Sequence, residues 1–207
     1  MAADVLSKRE CVLIEAAKIF ARFGFKKTSI DDIAKEAGVG KGTVYLAAES
    51  KEELFYQVLY REVRHWQASC AKVIDPRVPA DELLLRLYAE AQRHLASNHL
   101  VRDLFRGEIV RMLPKWADRF DELRAIGKTN VVEVLRIGVR QGVFRDDLDV
   151  EVVASLLQDF HLAGLVLRPA ALSEADASKR ALVGIDLILR GLRAPLASLA
   201  APVGATV

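Results

Sequence analysis

The stretch SIDDIAKEAGVGKGTVYLAAESK, residues 29–51, decides the fold of this chain. Ser29 followed three residues later by Asp32 is the pattern of a capping box, in which the hydroxyl accepts from a backbone amide and the carboxylate reaches back to the cap. A helix therefore begins at Ile30, and further apolar residues recur at helical spacing, at Ile33, Ala34 and Ala37. Gly38 can adopt the left-handed conformation that ends a helix. The pattern predicts a short helix of about two turns.

A second short helical run, Thr43–Ala47, follows the glycine-containing turn. Two short helices joined by such a turn form a helix-turn-helix, a motif whose second helix enters the DNA major groove. Upstream, Ser7 and Glu10 form another capping box, so a first helix is expected to run to about Phe23 and to end at Gly24. These three helices are expected to share a small core of Leu13, Phe20, Ile33, Val39 and Val44.

Residues 9–55 resemble the N-terminal DNA-binding domain of the TetR family of bacterial transcriptional repressors. The resemblance rests on six motifs in order: Ala-Ala-x-x-Phe, Gly-Phe, a Thr/Ser cap, Ile-Ala-x-x-Ala-Gly-Val, Lys-Gly-Thr-x-Tyr and Ser-Lys-Glu-Glu-Leu. It implies a ligand-responsive, sequence-specific transcriptional regulator, most often a repressor, that binds a palindromic double-stranded operator as a homodimer. It also implies an N-terminal DNA-binding domain, residues 7–50, followed by a helical effector-binding and dimerisation domain, residues 51–193.

The positions that match the motif supply backbone, hydroxyl and cationic groups for DNA. Gly42 lets the backbone come close to DNA, and the hydroxyls of Thr43 and Tyr45 can bind phosphate or a base edge. Lys41 and Lys51 would place positive charge at either end of the second helix, and a core position is the alternative for Tyr45. The expected DNA-binding residues are Lys27, Thr28, Ser29, Gly40, Lys41, Gly42, Thr43, Tyr45, Leu46, Ala47 and Lys51.

Two positions depart from the family's pattern. Gly40 replaces the usual Ser or Thr cap, a change that costs a few tenths of a kcal/mol. Ala47 and Ala48 stand where relatives carry aromatic residues or His, and truncating a buried Phe to Ala costs about 3 to 5 kcal/mol unless neighbours such as Leu46 or Phe55 fill the gap. The pair predicts weaker operator binding. It also leaves open a dimeric helical ligand-binding protein with impaired or lost operator binding.

An enzyme is the less favoured alternative. Gly38–Thr43 resembles the end of a phosphate-binding loop, in which glycines, a Lys and a Thr cradle phosphates. The first glycine of that motif would fall at Lys35, however, and the preceding segment is an amphipathic helix rather than a strand. No catalytic or metal-ligand spacing stands out among the histidines or elsewhere. The sequence therefore predicts no enzymatic activity, no cofactor and no metal site.

The composition agrees with a folded globular protein, since 52% of the 207 residues are apolar. A net charge of +2 is too small to indicate nucleic-acid binding by itself. Cys11 and Cys70 are too few for a disulfide scaffold or a zinc site, and Cys11 is expected to be buried. Without a charged-then-apolar leader or an apolar run of about 18 residues, the sequence predicts a cytoplasmic protein with no membrane partner.

The rest of the chain is expected to be helical throughout, which makes the fold class all-α. Residues 51–71 read as a connecting helix that extends to about Asp75, and further helices are expected at about 81–98, 104–113, 115–141, 149–167 and 173–192. No strand-like alternation and no repeat is present. The tail, residues 194–207, is rich in Ala and is expected to be flexible.

The resemblance implies an effector pocket among the middle helices, whose occupation shifts the population of two arrangements of the DNA-binding domains. Asn130 and Gln158 are polar amides within apolar helices and need partners. For each aromatic candidate, plain core packing is the alternative. The candidate pocket residues are Trp66, Tyr88, Phe105, Trp116, Phe120, Asn130 and Gln158. Because they are mainly aromatic, a largely apolar small-molecule effector is expected.

The last two helices are apolar on more than one side. A helix that is apolar nearly all round is buried, and in a chain of this size that favours a partner subunit over a monomer core. In the TetR family the last two long helices form a four-helix dimer interface. The candidate interface residues are Leu156, Phe160, Gly164, Leu167, Ile185, Ile188, Leu189 and Leu192. A two-fold dimer would place two recognition helices about one duplex turn apart.

Overall fold

The computed structural model describes residues 2–105, 107–166 and 173–194. Within these ranges all regular elements are helical, apart from one isolated bridge between Phe144 and Arg193. A 3₁₀ turn, Pro114–Trp116, lies between α7 and α8. The all-α fold class is confirmed. The helices are α1 Ala2–Lys27, α2 Ile30–Glu36, α3 Lys41–Ala47, α4 Lys51–Ala71, α5 Ala80–Ser97, α6 His99–Phe105, α7 Glu108–Met112, α8 Ala117–Arg140, α9 Val150–Val166 and α10 Glu174–Leu192.

The predicted helix-turn-helix is formed by α2 and α3. Ser29 Oγ accepts from the Asp32 amide at 3.2 Å, and Asp32 Oδ2 accepts from the Ser29 amide at 3.1 Å, so the capping box is complete. Gly38 has a φ of 64°, the left-handed conformation that glycine adopts without strain. Gly40 caps α3 without a side-chain hydrogen bond, as its missing hydroxyl predicts.

Helix α1 differs from the prediction at both ends. It begins at Ala2 rather than at the predicted cap Ser7, because the preceding residues include good helix formers such as Ala and Leu. At the other end Gly24 breaks the helix with a φ of 75°, but helical turns resume and continue to Lys27. Lys27 is therefore the last residue of α1. Cys11 is exposed, contrary to expectation.

A small core joins α1, α2 and α3. Four of its five expected residues are buried, namely Leu13, Phe20, Ile33 and Val44. Val39 is only half-buried, because it lies in the turn at the edge of this core. The core extends to α4 through aromatic packing: the ring centroid of Phe55 lies 4.8 Å from that of Phe20 and 5.0 Å from that of Phe25.

Glycine and proline set the breaks in the second half of the chain. The single helix expected at 104–113 is two helices, α6 and α7, because Gly107 takes a φ of 71° between them. Helix α8 begins after Pro114, which starts the 3₁₀ turn at a position that needs no amide donor. It ends at Arg140, and Gly142 follows with a φ of 69°. Helix α4 ends at Ala71, the bound expected for the connecting helix, and does not extend to Asp75.

The chain packs as two compact units. One contains Met1–Ala68 with Arg93–Gly127, and the other contains Ser69–Gln92 with Lys128–Val207. These units divide the chain differently from the boundary expected at residue 50, because α4 packs against α1 through Phe55 and is joined to it by the Arg61–Glu10 ion pair. The assignment of residues 7–50 and 51–193 to separate functions stays a prediction. Residues 195–207 of the expected tail lie outside the described residues.

Candidate nucleic-acid interface

One side of α3 faces outward. Tyr45 is 51% exposed and Leu46 is 81% exposed, whereas Val44 on the opposite side is fully buried. Tyr45 is therefore a surface residue and not a core tyrosine. Gly40, Lys41 and Gly42 are also exposed at the start of α3, and Thr43 is half-buried. Ala47 is buried, so its methyl group belongs to the core rather than to the DNA-facing surface expected from the sequence.

Lys41 carries the positive charge at the start of α3. Its Nζ lies 2.6 Å from Asp31 Oδ1, in the first turn of α2, and both side chains are more than half exposed. An exposed ion pair of this kind is weak and breaks readily when a stronger anion approaches. Lys41 is thus placed to contact phosphate, but Asp31 competes for it.

Lys51 has a structural role in place of the expected phosphate contact. Its Nζ donates to the carbonyl oxygens of Phe25 at 3.2 Å and Thr28 at 3.1 Å, and it lies 4.4 Å from the centroid of the Phe25 ring. Cations are favoured at the C-terminal end of a helix, where carbonyl groups lack amide partners. Lys51 therefore ties α4 to the end of α1.

Thr28 and Ser29 also support the fold. Thr28 is buried, and its Oγ1 donates to the carbonyl of Gly24 at 2.8 Å. Ser29 Oγ donates to Asp32 Oδ2 at 2.6 Å, within the cap of α2. Lys26 and Lys27 differ from these residues, because both are exposed and no described carboxylate lies within ion-pair distance of either. Among the expected cations, Lys27 therefore differs from Lys41, which is paired with Asp31, and from Lys51, which is bonded to carbonyl groups.

The Ala47–Ala48 pair lies at the C-terminal end of α3. Both residues are buried. Leu46 cannot fill the place of the missing aromatic ring, because its side chain points into solvent. Phe55 is buried and packs against Phe20 and Phe25, which makes it the better of the two candidates named from the sequence.

The segment Gly38–Thr43 joins two helices, α2 and α3. A phosphate-binding loop of a nucleotide kinase instead connects a strand to a helix. The backbone context required for the nucleotide-binding alternative is therefore missing at this segment.

Trp66 and Phe105, two of the expected pocket residues, meet in the first unit. Their ring centroids lie 5.0 Å apart in an edge-to-face arrangement, and both rings are buried. Gly127 on α8 allows this packing, since a Cβ there would lie 2.6 Å from Cζ3 of Trp66. The Trp66 Nε1 donor is buried and has no hydrogen-bond partner among the described residues.

Trp116 and Phe120 belong to a different aromatic cluster, built around Tyr56. Their centroids lie 6.0 Å and 6.4 Å from the Tyr56 ring. The guanidinium of Arg119 lies 3.7 Å from the Tyr56 centroid and donates to Glu53 at 2.6 Å, which lowers the pKa of the Glu53 carboxyl. Sequence inspection missed Arg119, because its partner lies 66 residues away. Trp116 and Phe120 thus pack against α4, the alternative role named for them.

Tyr88, Asn130 and Gln158 lie in the second unit. Asn130 is buried, and Tyr88 and Gln158 are half-buried. The Tyr88 ring packs edge-to-face with His161 at a centroid distance of 4.8 Å. Burial lowers the pKa of His161 to about 4, so its imidazole is neutral at neutral pH. His161 was not among the expected pocket residues, because a single histidine on an apolar helix carries no spacing signal.

The expected dimer surface is only partly exposed. Leu156 and Phe160 on α9 are 55% and 64% exposed, and Val152 continues their stripe. On α10, Leu189 and Leu192 are buried within the protomer. Their assignment to the dimer interface is therefore wrong, because they belong to the core of a single chain. Ile185 and Ile188 are half-buried. Gly164 lies within α9, and Leu167 lies outside the described residues. The exposed apolar residues of α10 are Leu182, Val183 and Leu187.

A depression of about 460 Å³ also lies on α10. It is lined by residues of that helix alone, including Val183 and Leu187, so it belongs to the exposed apolar side and not to the expected effector pocket. In the part of the chain that the structure describes, no group of three His, Cys, Asp or Glu side chains is placed to hold a metal ion. No described helix is both long and apolar enough to cross a bilayer.

Comparison with known proteins places these features in a family. Residues 12–58 match the family model described as bacterial regulatory proteins, tetR family. The chain is 31% identical over 157 residues to the HTH-type transcriptional repressor KstR2 of Mycolicibacterium smegmatis, an alignment that covers 74% of this chain and 75% of that protein.

Two solved structures have the same fold. FadR from Bacillus subtilis, solved in complex with stearoyl-CoA, superposes with a TM-score of 0.72 at 18% identity over 89% of this chain and 99% of that one. The ketosteroid transcriptional regulator KstR2 of Mycobacterium tuberculosis superposes with a TM-score of 0.58 at 24% identity over 90% and 95%. Together with the helix-turn-helix and its exposed α3, these similarities show that the chain belongs to the TetR family and is a DNA-binding transcriptional regulator.

Proposed function

We propose that this protein is a dimeric repressor that binds a palindromic operator through α3 and releases it when an apolar effector binds. The observation that carries the proposal is the outward side of α3, where Tyr45 and Leu46 are largely exposed while Val44 anchors the helix. Large apolar side chains in solvent are typical of surfaces that bind a partner. For the second helix of a helix-turn-helix, that partner is the major groove.

Contacts within this surface divide by chemistry. Tyr45 and Leu46 would face base edges, where a hydroxyl and an apolar group distinguish base pairs. Lys41 and the exposed Lys26 and Lys27 would contact phosphates, which set the position of the domain on the duplex but carry no sequence information. Residues 7–50 would then be the DNA-binding domain, and residues 51–193 would bind the effector and the second subunit.

The dimer is proposed to form through the stripe of Val152, Leu156 and Phe160 on α9, together with Leu182, Val183 and Leu187 on α10. All six residues are large, apolar and more than half exposed in the single chain. A second copy would remove this surface from water and match the two-fold symmetry of a palindrome.

Leu156→Glu tests the dimer, because it places a charge in that stripe. We expect this variant to sediment as a monomer and to lose most of its operator affinity. Leu85→Glu is the matched control, since it makes the same change at an exposed leucine on α5, outside the stripe. A dimeric Leu156→Glu variant would contradict the proposed interface.

The effector is proposed to be a lipid-derived molecule with a large apolar part. The buried aromatic pair Trp66 and Phe105 supports an apolar ligand. The FadR structure contains stearoyl-CoA, and the KstR2 structure is named as a ketosteroid regulator. A fatty acyl-CoA and a ketosteroid are therefore the two probes to test first, by calorimetry and by release of labelled operator. Binding of only small, highly charged metabolites would contradict this class of effector.

Recovery of sheared genomic DNA on the purified protein, sequenced at two salt concentrations, tests operator binding. An enriched palindrome that survives the higher salt supports a specific regulator and identifies its operator. Uniform recovery that disappears with salt means only non-specific phosphate binding. That result would favour the alternative, a dimeric ligand-binding protein with impaired operator binding.

A variant pair makes the DNA test specific to α3. Tyr45→Ala should abolish enrichment of the palindrome, because it removes an exposed side chain of the proposed reading surface. Tyr60→Ala is the matched control, since Tyr60 is exposed to a similar degree on α4. Equal loss in both variants would contradict the role of α3.

A further inference from the structure

Helix α9 carries two polar side chains, Gln158 and His161, on the side opposite its exposed apolar residues. Ala154, Gln158 and His161 recur at helical spacing, and each is more buried than the neighbouring Leu156 and Phe160. A helix side that faces the protein interior is normally apolar. Here its second half carries an amide and an imidazole.

His161, on this inner side of α9, has a ring nitrogen that makes no hydrogen bond to the described residues. Its Nε2 is buried and has no hydrogen-bond partner in the described part of the chain. Burial is the cause of the lowered pKa of His161, and no charged side chain contributes to it. The imidazole is therefore neutral at neutral pH.

Tyr88 supplies a second group beside it. The Tyr88 ring lies edge-to-face with His161 at 4.8 Å. The Tyr88 oxygen accepts from Gln92 Nε2 at 2.8 Å, and this bond leaves the hydroxyl hydrogen available to donate. The Tyr88 hydroxyl can therefore donate, and Nε2 of the neighbouring imidazole can donate in the tautomer that carries the proton on that nitrogen.

A buried imidazole nitrogen without a hydrogen-bond partner is rare, because an unsatisfied buried polar group costs free energy. We propose that His161 and Tyr88 form a subsite that binds a carbonyl oxygen of the effector, as in a thioester or a ring ketone. The inference rests on the proposed function, since it concerns the effector of the same regulator. A carboxylate or phosphate is disfavoured at this point, because neither neutral ring supplies a positive charge to offset a buried anion.

The test uses matched ligands that differ only in the carbonyl. One pair is stearoyl-CoA and its thioether analogue, in which a methylene replaces the carbonyl. The other is a steroid with one ring ketone and the same steroid with a methylene at that position. Dissociation constants are measured by calorimetry for the wild-type protein and for His161→Phe, Tyr88→Phe and His161→Gln, with melting curves as a check of folding.

We expect the wild-type protein to prefer the carbonyl member of at least one pair by about tenfold, the effect of one or two hydrogen bonds. His161→Phe keeps the aromatic packing but removes the donor, and Tyr88→Phe removes only the hydroxyl. Each should weaken the carbonyl ligand and leave the methylene analogue unchanged. His161→Gln should recover part of the preference, because its amide N–H can replace the imidazole donor.

The other outcomes separate this inference from the proposed function. If a variant weakened both members of a pair equally, the residue would have a packing role and the subsite would be rejected. If the wild-type protein bound both members equally, the effector class would stand and the subsite would not. If it bound none of the four probes, the lipid-derived effector and the subsite would both be rejected.

Discussion

Lys41 Nζ lies 2.6 Å from Asp31 Oδ1, so the first cation of α3 is paired with an acid at the start of α2. The two side chains are 59% and 63% exposed. Because the pair lies on the proposed DNA surface, operator binding must break it or bring the carboxylate close to phosphates. We therefore expect Asp31 to weaken binding in two ways: it occupies Lys41, and it adds negative charge near the duplex.

Asp31→Asn should tighten operator binding by up to about fivefold at low salt, because an exposed ion pair is worth at most about 1 kcal/mol. The gain should shrink as salt screens the charges. Fluorescence anisotropy with labelled operator across a salt series measures both effects. Glu36→Gln is the control, since it removes one exposed acid from the other end of α2 and should have a smaller effect. If Asp31→Asn and Glu36→Gln tightened operator binding equally, the gain in affinity would come from net charge alone.

Lys51→Met should lower the free energy of unfolding by about 1 to 3 kcal/mol, because the carbonyl groups of Phe25 and Thr28 lose their donor. Urea denaturation followed by circular dichroism measures this loss. Lys27→Met is the matched change at an exposed site, and its unfolding free energy should stay within about 0.5 kcal/mol of wild type.

Lys51→Met and Lys27→Met also distinguish a role in folding from a role in DNA binding. Lys27→Met should lower the salt dependence of operator binding by about one unit of slope, as expected for one lost phosphate contact. If Lys51→Met left the stability unchanged while lowering that slope, Lys51 would be a phosphate contact after all.

Replacing Ala47 by Tyr and Ala48 by Phe should tighten operator binding. Both alanines are buried at the end of α3, and Leu46 does not cover them, so aromatic rings there would anchor the helix more firmly. The measurement compares operator affinity and melting temperature of the double variant with wild type. Unchanged affinity would refute this expectation, and a lower melting temperature would show that Phe20, Phe25 and Phe55 already fill the space.

The free energy of unfolding should decrease as the pH is lowered from 6.5 to about 4, because of His161. Its pKa is about 4 in the folded protein, against 6.5 when exposed, so the unfolded chain binds the proton first. The stabilisation is complete above pH 6.5, and up to about 3 kcal/mol is lost by pH 4. Urea denaturation at pH 7.5 and 5 checks this while the titration of carboxylates is still limited.

His161→Phe should flatten the pH dependence of unfolding relative to wild type, since no proton is taken up at that position. The exposed His65 supplies the control, and we expect His65→Phe to keep the wild-type dependence. A slope that persists in His161→Phe would assign it to other groups.

Local signals were sufficient for much of the fold. The cap of α2 by Ser29 and Asp32 and the turn at Gly38 appear as predicted, and α8 and α10 end within one residue of the predicted positions. Each depends on residues within about four positions of one another, so the interaction can be predicted from the local sequence. The helix-turn-helix and its family followed from the same short range.

Tertiary structure decided which partner each side chain takes. Lys51 bonds to carbonyls 23 and 26 residues away, and Arg119 to a carboxylate 66 residues away. On α10, Leu189 and Leu192 point into their own protomer while Leu182 and Leu187 remain outside. A helix that is apolar on several sides has no periodicity that marks its inner side, and segments distant in sequence meet only through packing. The sequence by itself therefore determined the caps and the turn of the helix-turn-helix and the family to which it belongs, whereas packing alone assigned Lys51 to the fold and His161 to a buried polar site.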